Sequence, residues 1–191
     1  MKTLLNYRGN KKKTQYYNRT ESTYQSFGQA LKIMTEQTIG QNQPLILVCI
    51  GSDRITGDCL GPLVGHKLSQ VVPHPERIYG TLKEPVHARN LKQVLKEIHR
   101  TYPNPFLIVV DASLGLTDHI GYITLSNGPL RPGEGVKKRL PPVGEISITG
   151  IVNASSENSS FLLQNTRLHL VEELADYIFL GMLNGLQHYM I

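Results

Sequence analysis

Two short apolar runs set the strongest constraint on how this chain can fold. "LILVCI" covers residues 45–50 and "FLIVV" covers residues 106–110, and neither contains a charged or amide side chain. A strand without a polar position is buried on both of its faces, which is typical of a central strand in a parallel sheet covered by helices on each side. The two runs therefore predict neighbouring strands at the centre of such a sheet.

Helical patterns separate the strand patterns along the rest of the chain. Alternation of this kind indicates an α/β fold, here a three-layer α/β/α sandwich with a mostly parallel sheet. Further strands are predicted at 77–80, 121–127 and 145–153, and helices at 21–39, 60–72, 84–102 and 157–188, the last with a break near Gly181.

The charge of the chain is concentrated at its N-terminus. The formal net charge is +5, and residues 1–20 contain basic side chains but no acidic ones, while the remainder is nearly neutral. A polar, basic segment of this kind is typical of a flexible tail, so we predict a tail over 1–20 and a single α/β domain over 21–191. The sequence has no zinc-finger spacing, RNA-binding aromatic signature or helix-turn-helix pattern, which argues against nucleic acid as a partner.

Apolar runs and cysteines indicate the compartment. The apolar runs are far too short to span a bilayer, and the first residues reach lysines before any signal-like stretch forms. Cys49 and Cys59 are the two cysteines, which is too few for a disulfide framework. We therefore expect a cytoplasmic protein without membrane contact, and an oligomer is compatible with the sequence.

Two aspartates follow the central strand patterns. Asp58 lies in the loop "GSDRITGDCLG" after the first run, and Asp111 follows the second run directly. Ligands of open α/β sheets bind at the carboxyl ends of the strands, where these loops would converge. Two carboxylates in one cleft can share a proton and activate water, or they can bind a divalent metal, or each can simply cap a nearby N–H.

Other polar residues are expected around the same cleft. Asp53 and Asn153 follow strand patterns, while Glu84 and His87 lie at the start of a predicted helix, with His87 on its inward face. A basic loop over 131–139 could hold an acidic or peptide substrate. Its candidate substrate contacts are Arg131, Lys137 and Lys138.

Several segments together resemble a known family. "GSDRITGDCLGPLVG", "YGTLKEPVHA", "VVDASLG", "RPGEGVKKRLPPVGEISITGIVN" and "LLQNTRL" occur in this order and resemble the YyaC-type spore protein family. The chain is also similar to the germination protease of endospore-forming bacteria, where a T-x-D-x-L-G-P segment and a D-A segment supply two catalytic aspartates. The matching residues are Thr56, Asp58, Leu60, Gly61, Pro62, Asp111 and Ala112.

The resemblance implies a sporulation-associated endopeptidase. Asp58 and Asp111 would be catalytic, no cofactor would be needed, and the partner would be a protein or peptide, with small acid-soluble spore proteins as candidate substrates. A more distant likeness to hydrogenase maturation endopeptidases implies a phosphorylase/hydrolase-like fold. Those enzymes bind nickel, but the region of their third ligand reads "PVGEISITG" here, with Glu145 instead of a histidine.

Three hypotheses therefore remain open from the sequence. The first is a metal-independent endopeptidase with a pair of aspartates, in which Glu84, His87 and Glu145 would tune the cleft. The second is a non-catalytic binding or scaffold protein that retains the cleft. The third is a metal-dependent hydrolase, in which His87 or Glu145 would complete the ligand set.

Overall fold

A mixed sheet of six strands runs through the middle of the molecule. The structure, a computed structural model, describes residues 13–132, 140–156 and 158–190. The strands are β1 (Lys13–Asn18), β2 (Leu45–Cys49), β3 (Ile78–Tyr79), β4 (Phe106–Gly115), β5 (Tyr122–Asn127) and β6 (Ile146–Ala154). The helices are α1 (Tyr24–Thr38), α2 (Leu60–Ser69), α3 (Leu91–Thr101), α4 (Ser159–Gln164) and α5 (Leu168–Met190).

The two apolar runs of the sequence form adjacent strands at the centre of the sheet. The strand order is β1-β5-β6-β4-β2-β3. β2 pairs in parallel with β3 and with β4, and β4 pairs in parallel with β6. β5 is antiparallel to both β6 and β1. The prediction of a mostly parallel sheet is thus confirmed.

Helices cover the sheet on both sides. One buried apolar cluster joins α1, α2 and α5 to the first face of the sheet, and a second joins α3 to the opposite face over β2 and β4. Alternate residues of β2 divide between the clusters, since Leu45 and Leu47 belong to the first and Ile46 and Val48 to the second. The fold is therefore the predicted α/β/α sandwich, because a strand that is apolar at every position must be covered twice.

The predicted N-terminal tail is wrong for residues 13–18, which form the edge strand β1. β1 pairs with β5 along its whole length. The ring of Tyr17 meets Phe27 edge-on at 5.4 Å between centroids, and Arg19 forms a 2.7 Å ion pair with Glu173. The basic and polar composition suggested a solvated segment, but ladder hydrogen bonds and one inward tyrosine suffice to hold an edge strand.

The predicted start of the third long helix, at residue 84, is also wrong, because α3 begins at Leu91. Val86 instead pairs with Ile50 as a parallel bridge, which extends the sheet beside β2. Asn90 then stabilises a turn, since its side chain accepts a hydrogen bond from His87 N and donates one to Pro85 O. His87 consequently lies in a loop at the sheet edge rather than on a helical stripe.

The last helix is continuous where the sequence suggested a break. α5 runs through Gly181 and Gly185, and both glycines lie against α1. A Cβ at Gly185 would lie 2.3 Å from the carbonyl oxygen of Gly28. The glycines therefore permit close helix packing instead of ending the helix. Within the described ranges, no helix has both the length and the apolar character that crossing a membrane requires.

Candidate functional site

Asp58 is held by a loop that folds back on itself after β2. Gly51 has a φ of 147° and donates its N–H to Val86 O, while Ser52 N–H donates to the carbonyl oxygen of Asp58. A Cβ at Gly51 would lie 2.0 Å from that same oxygen, so only glycine permits this approach. The loop ends in a short 3₁₀ turn, Thr56–Asp58, from which α2 starts.

Burial changes the ionisation of Asp58. Its surroundings raise the pKa of the carboxyl group from 3.8 to about 6, because burial disfavours the charged form, and the N–H of Ser52 opposes that rise. The N-cap of α2 is Cys59, and the side chain of that residue makes no capping hydrogen bond. The contact with the Ser52 N–H gives Asp58 a structural role in the loop, and burial still leaves its pKa raised.

Asp111 lies on β4 at the point where the buried part of that strand ends. Its exposed fraction is 8%, and one carboxylate oxygen accepts a 2.8 Å hydrogen bond from the N–H of Ala112. Burial raises the pKa of Asp111 well above its ordinary value, and the charge of Asp58 raises it further. Asp58 in the loop after β2 and Asp111 on β4 thus interact electrostatically.

The two aspartates form an electrostatic pair without direct bonding. Among the described residues, no hydrogen bond joins the carboxyl groups of Asp58 and Asp111. Two interacting carboxyl groups in a partly buried cleft release their protons in separate steps. Because the charge on Asp58 opposes ionisation of Asp111, the pair keeps one proton over the pH range between those steps.

Some of the other predicted cleft residues lie at the same edge of the sheet. Asp53 is exposed in the turn before Asp58. Glu84 is exposed, and its backbone pairs with Thr81 in the loop that follows β3. His87 is half-buried, and its Nδ1 accepts a hydrogen bond from Arg89 N at 3.3 Å. Their roles in a reaction stay predictions.

Asn153 supports the Asp58 loop from behind. Its side-chain nitrogen donates to Leu162 O at 3.1 Å and to Thr166 Oγ1 at 3.3 Å. Thr166 is buried against Gly57, where an added Cβ would lie 2.8 Å from Thr166 Oγ1. Asn153 therefore connects β6 to the segment that packs on the residue before Asp58, and its amide is already committed to that contact.

Glu145 is wrong as a cleft residue. Its carboxylate accepts a 2.7 Å hydrogen bond from Leu107 N, at the amino end of β4. Thr149 pairs with Asp111, so Glu145 lies four residues away from that level, which is about 13 Å along a strand. It ties the start of β6 to β4, away from the level of Asp111.

The predicted basic loop is described only at its beginning. Arg131 is exposed and follows Leu130, which pairs with Val143 in the connection between β5 and β6. That connection leaves from the amino end of β6, since Gly128 N donates to Glu145 O. Lys137 and Lys138 lie outside the described residues.

A groove lined by hydroxyl groups is the feature that sequence reasoning missed. It has a volume of about 460 Å³ and lies on the sheet face opposite to α5. Thr124 and Ser126, and likewise Ser147 and Thr149, alternate along β5 and β6, and this spacing by two was a usable signal. We call this feature the hydroxyl groove, with its hydroxyls from Thr14, Ser113, Thr124, Ser126, Ser147 and Thr149.

The two cysteines are unsuited to nucleophilic chemistry. Burial raises the pKa of Cys49 to about 12. Cys59 is also buried, its Sγ donates to Thr56 O, and burial together with the charges of Asp58 and Asp53 raises its pKa. Because the thiolate is the reactive form, neither cysteine favours a cysteine peptidase.

The candidate metal ligands of the sequence do not assemble into a cluster. Within residues 13–132, 140–156 and 158–190, no group of three or more histidine, cysteine, aspartate or glutamate side chains is arranged to hold a metal ion. Asp58 and Asp111 are the acidic side chains brought together at the carboxyl edge.

Comparisons with known proteins identify a family, a sequence relative and a protein of similar structure. The family described as "Protein of unknown function (DUF1256)" matches residues 15–181. "Uncharacterized protein YyaC" of Bacillus subtilis (strain 168) is 50% identical over 140 residues, which cover 73% of this chain and 68% of YyaC. The resemblance to YyaC-type proteins is thus confirmed. A NiFe hydrogenase maturation protease, HycI from Thermococcus kodakarensis KOD1, is similar with a TM-score of 0.48 and 17% identity, covering 77% of this chain and 97% of HycI.

Proposed function

We propose that this chain, which belongs to the DUF1256 family, is an endopeptidase whose Asp58 and Asp111 share one proton. One observation carries the proposal. Asp58 follows β2 and Asp111 lies on the adjacent parallel strand β4, burial raises the pKa of both, and the charge of Asp58 raises that of Asp111 further. A pair that keeps one proton supplies both a base and an acid near neutral pH.

The two aspartates would have different roles. Asp58 has a pKa of about 6, so it is mainly ionised at pH 7 and can accept a proton from water. Asp111 is more deeply buried and experiences the charge of Asp58, so it keeps its proton and acts as the acid. This division follows from the difference in burial.

Hydrolysis would proceed through a tetrahedral intermediate. Asp58 takes a proton from water while the water oxygen bonds to the peptide carbonyl carbon, and Asp111 donates its proton to the carbonyl oxygen. The carbon–nitrogen bond then breaks, Asp58 gives its proton to the leaving amine, and Asp111 recovers a proton from the hydroxyl of the intermediate. Both carboxyl groups thereby return to their starting states.

The sequence resemblance supports a setting for this activity. We propose that the enzyme acts in the cytoplasm of the sporulating cell, and that small acid-soluble spore proteins are its substrates. The support is the shared order of motifs around Asp58 and Asp111.

A proteolysis assay tests the proposal. Purified chain is incubated with small acid-soluble spore proteins and with unfolded casein, with and without a chelator. The variants are Asp58→Asn and Asp111→Asn, and Asp176→Asn is the matched control because Asp176 lies on α5, where it pairs with Lys67 on α2. We expect chelator-resistant cleavage that falls by roughly 10²–10⁴-fold in the first two variants and stays unchanged in the control.

Other outcomes of the assay point to the other functions. Cleavage that the chelator abolishes would indicate a metal-dependent hydrolase. No cleavage of either substrate by folded wild type would favour a non-catalytic binding protein. That second candidate has an observation in its favour, because the Asp111 carboxylate accepts a hydrogen bond from the next N–H of its own strand and, among the described residues, none from Asp58.

A further inference from the structure

We infer that the hydroxyl groove binds an extended stretch of about four small, uncharged residues of the polypeptide substrate. The inference rests on the proposed function, because it assigns the substrate subsite of the same centre. The groove is a cavity of about 460 Å³ on the sheet face that α3 leaves open beyond β4. Nothing in the reaction at Asp58 and Asp111 uses this cavity otherwise.

The groove begins next to Asp111. Thr149 pairs with Asp111 in the sheet, so the two side chains project from the same face about 5 Å apart. Ser113 lies two residues further along β4, and therefore also on that face. Both Thr149 and Ser113 line the groove. A chain seated in it passes directly beside the proposed acid.

The chemistry of the lining selects against charged side chains. The described lining residues include no lysine, arginine, aspartate or glutamate. A charged side chain would lose water without gaining an ionic partner among these lining residues, which disfavours its binding. The groove therefore favours glycine, alanine, serine and threonine.

The hydroxyl groups suit a peptide backbone. Ser113 Oγ donates to Thr149 Oγ1 at 3.1 Å, and Thr149 Oγ1 lies 2.8 Å from Thr124 Oγ1. Thr14 Oγ1 and Ser126 Oγ form another pair at 2.8 Å. A hydroxyl has one donor and two acceptor sites, so these pairs retain capacity for peptide N–H and C=O groups. The chain of hydroxyls thus offers both kinds of partner.

The dimensions of the groove give the length of the segment. From Asp111 on β4 to Tyr16 on β1, at the level of Thr149, the floor crosses three strand-to-strand steps, or roughly 14 Å at about 4.8 Å each. An extended peptide advances about 3.4 Å per residue, so roughly four residues span the groove. Tyr16 and His119, whose rings are 5.4 Å apart, stand at the far end.

Peptide capture tests the inference separately from hydrolysis. The full chain carrying Asp111→Asn is immobilised and incubated with a synthetic library of octapeptides randomised at four consecutive positions, and the retained peptides are sequenced. We expect enrichment of small, uncharged residues at those positions. Thr149→Val, which removes a hydroxyl but keeps the shape, and Thr14→Tyr, which fills the groove from the edge strand, should each reduce retention by at least about tenfold.

The matched control is Thr35→Val. Thr35 is a fully buried threonine on α1, on the other side of the sheet, and its hydroxyl has no partner. We expect unchanged retention in this control. Retention of charged peptides, no retention at all, or equal retention in every variant would overturn the inference.

Cleavage of the same peptide library is then measured with protein that retains Asp111. Selective retention without hydrolysis would keep the inference and reject the proposed peptidase. Hydrolysis that stays at the same rate in Thr149→Val and Thr14→Tyr would keep the proposed peptidase and overturn the inference about the groove.

Discussion

The two faces of β5 and β6 differ completely, although they belong to the same strands. The central part of one face carries aliphatic side chains that are fully buried under the layer of α1, α2 and α5, while the other face carries hydroxyls that line the groove. The aliphatic residues are Ile123, Leu125, Ile146 and Ile148, and the hydroxyl residues are Thr124, Ser126, Ser147 and Thr149. Strict alternation thus lets one hairpin of strands supply both the core and a polar recognition surface.

Replacing one residue of the aliphatic face should have the largest effect. Ile148→Ala removes a fully buried side chain between the sheet and the helices, so we expect the free energy of unfolding to fall by about 4 kcal/mol. Urea denaturation followed by circular dichroism measures this change. A loss below about 1 kcal/mol would mean that this face does not carry the core.

Contact between α1 and α5 should be the next most sensitive feature. In Gly185→Ala the new methyl group would meet the carbonyl oxygen of Gly28, which belongs to backbone and cannot rotate away. We expect the helices to separate and the free energy of unfolding to fall by about 3 kcal/mol. The control is Gly40→Ala, where an added Cβ would meet only the flexible side chain of Gln43.

The free energy of unfolding should depend on pH through the ionisation of Asp58. The pKa of Asp58 is raised in the folded state to about 6, so ionisation costs stability as the pH rises through that value. Relative to Asp58→Asn, wild type should be equally stable near pH 3.5 and lose about 3 kcal/mol by pH 8. Urea titrations at both pH values measure this difference, and the opposite sign would show that Asp58 is stabilised as an anion.

The smallest effect on stability should come from the hydroxyl face. Thr149→Val removes hydrogen bonds to Ser113 and Thr124, but it keeps the volume of the side chain. We expect the free energy of unfolding to fall by about 1 kcal/mol, because Ser113 keeps its hydrogen bond to Gly150 O and one hydroxyl pair is lost. Measured beside Ile148→Ala, this neighbouring substitution compares the two faces one residue apart.

Activity should follow a different order from stability. If Asp58 acts as the base and Asp111 as the acid, the rate of hydrolysis should rise with pH around 6 and fall again well above it. The rate profile of wild type between pH 4 and 9 measures both limbs. A rate that is flat across pH 5 to 7 would exclude Asp58 as the base.

Much of the architecture could be predicted from local patterns. The runs at 45–50 and 106–110 indicated two central strands, and the structure places them side by side. Such runs are reliable because a strand without polar positions has one stable environment. The β1 strand was missed because an edge strand is held by backbone hydrogen bonds, which composition does not reveal.

The residues of the candidate site were likewise predictable only in part. The sequence indicated that Asp58 lies in the loop after β2 and that Asp111 adjoins the second apolar run, but β4 continues past Asp111 to Gly115. Their catalytic role stays a prediction. Glu145 was misplaced because the resemblance gave its order in the chain, whereas it lies at the amino end of its strand and pairs with Leu107. Asn153 was expected to face the cleft, but its amide is used to support the segment behind Asp58.

The sequence by itself determined the three-layer fold, the two central strands and the aspartates at their ends, because each depends on a periodicity or a position within a few residues. Only the tertiary structure decided which polar groups come together. The charge of Asp58 acts on Asp111 across two strands, and hydroxyls from β1, β4, β5 and β6 form one groove. The physical reason is that ionisation and hydrogen bonding depend on distance and burial, and the order of the strands in the sheet fixes both.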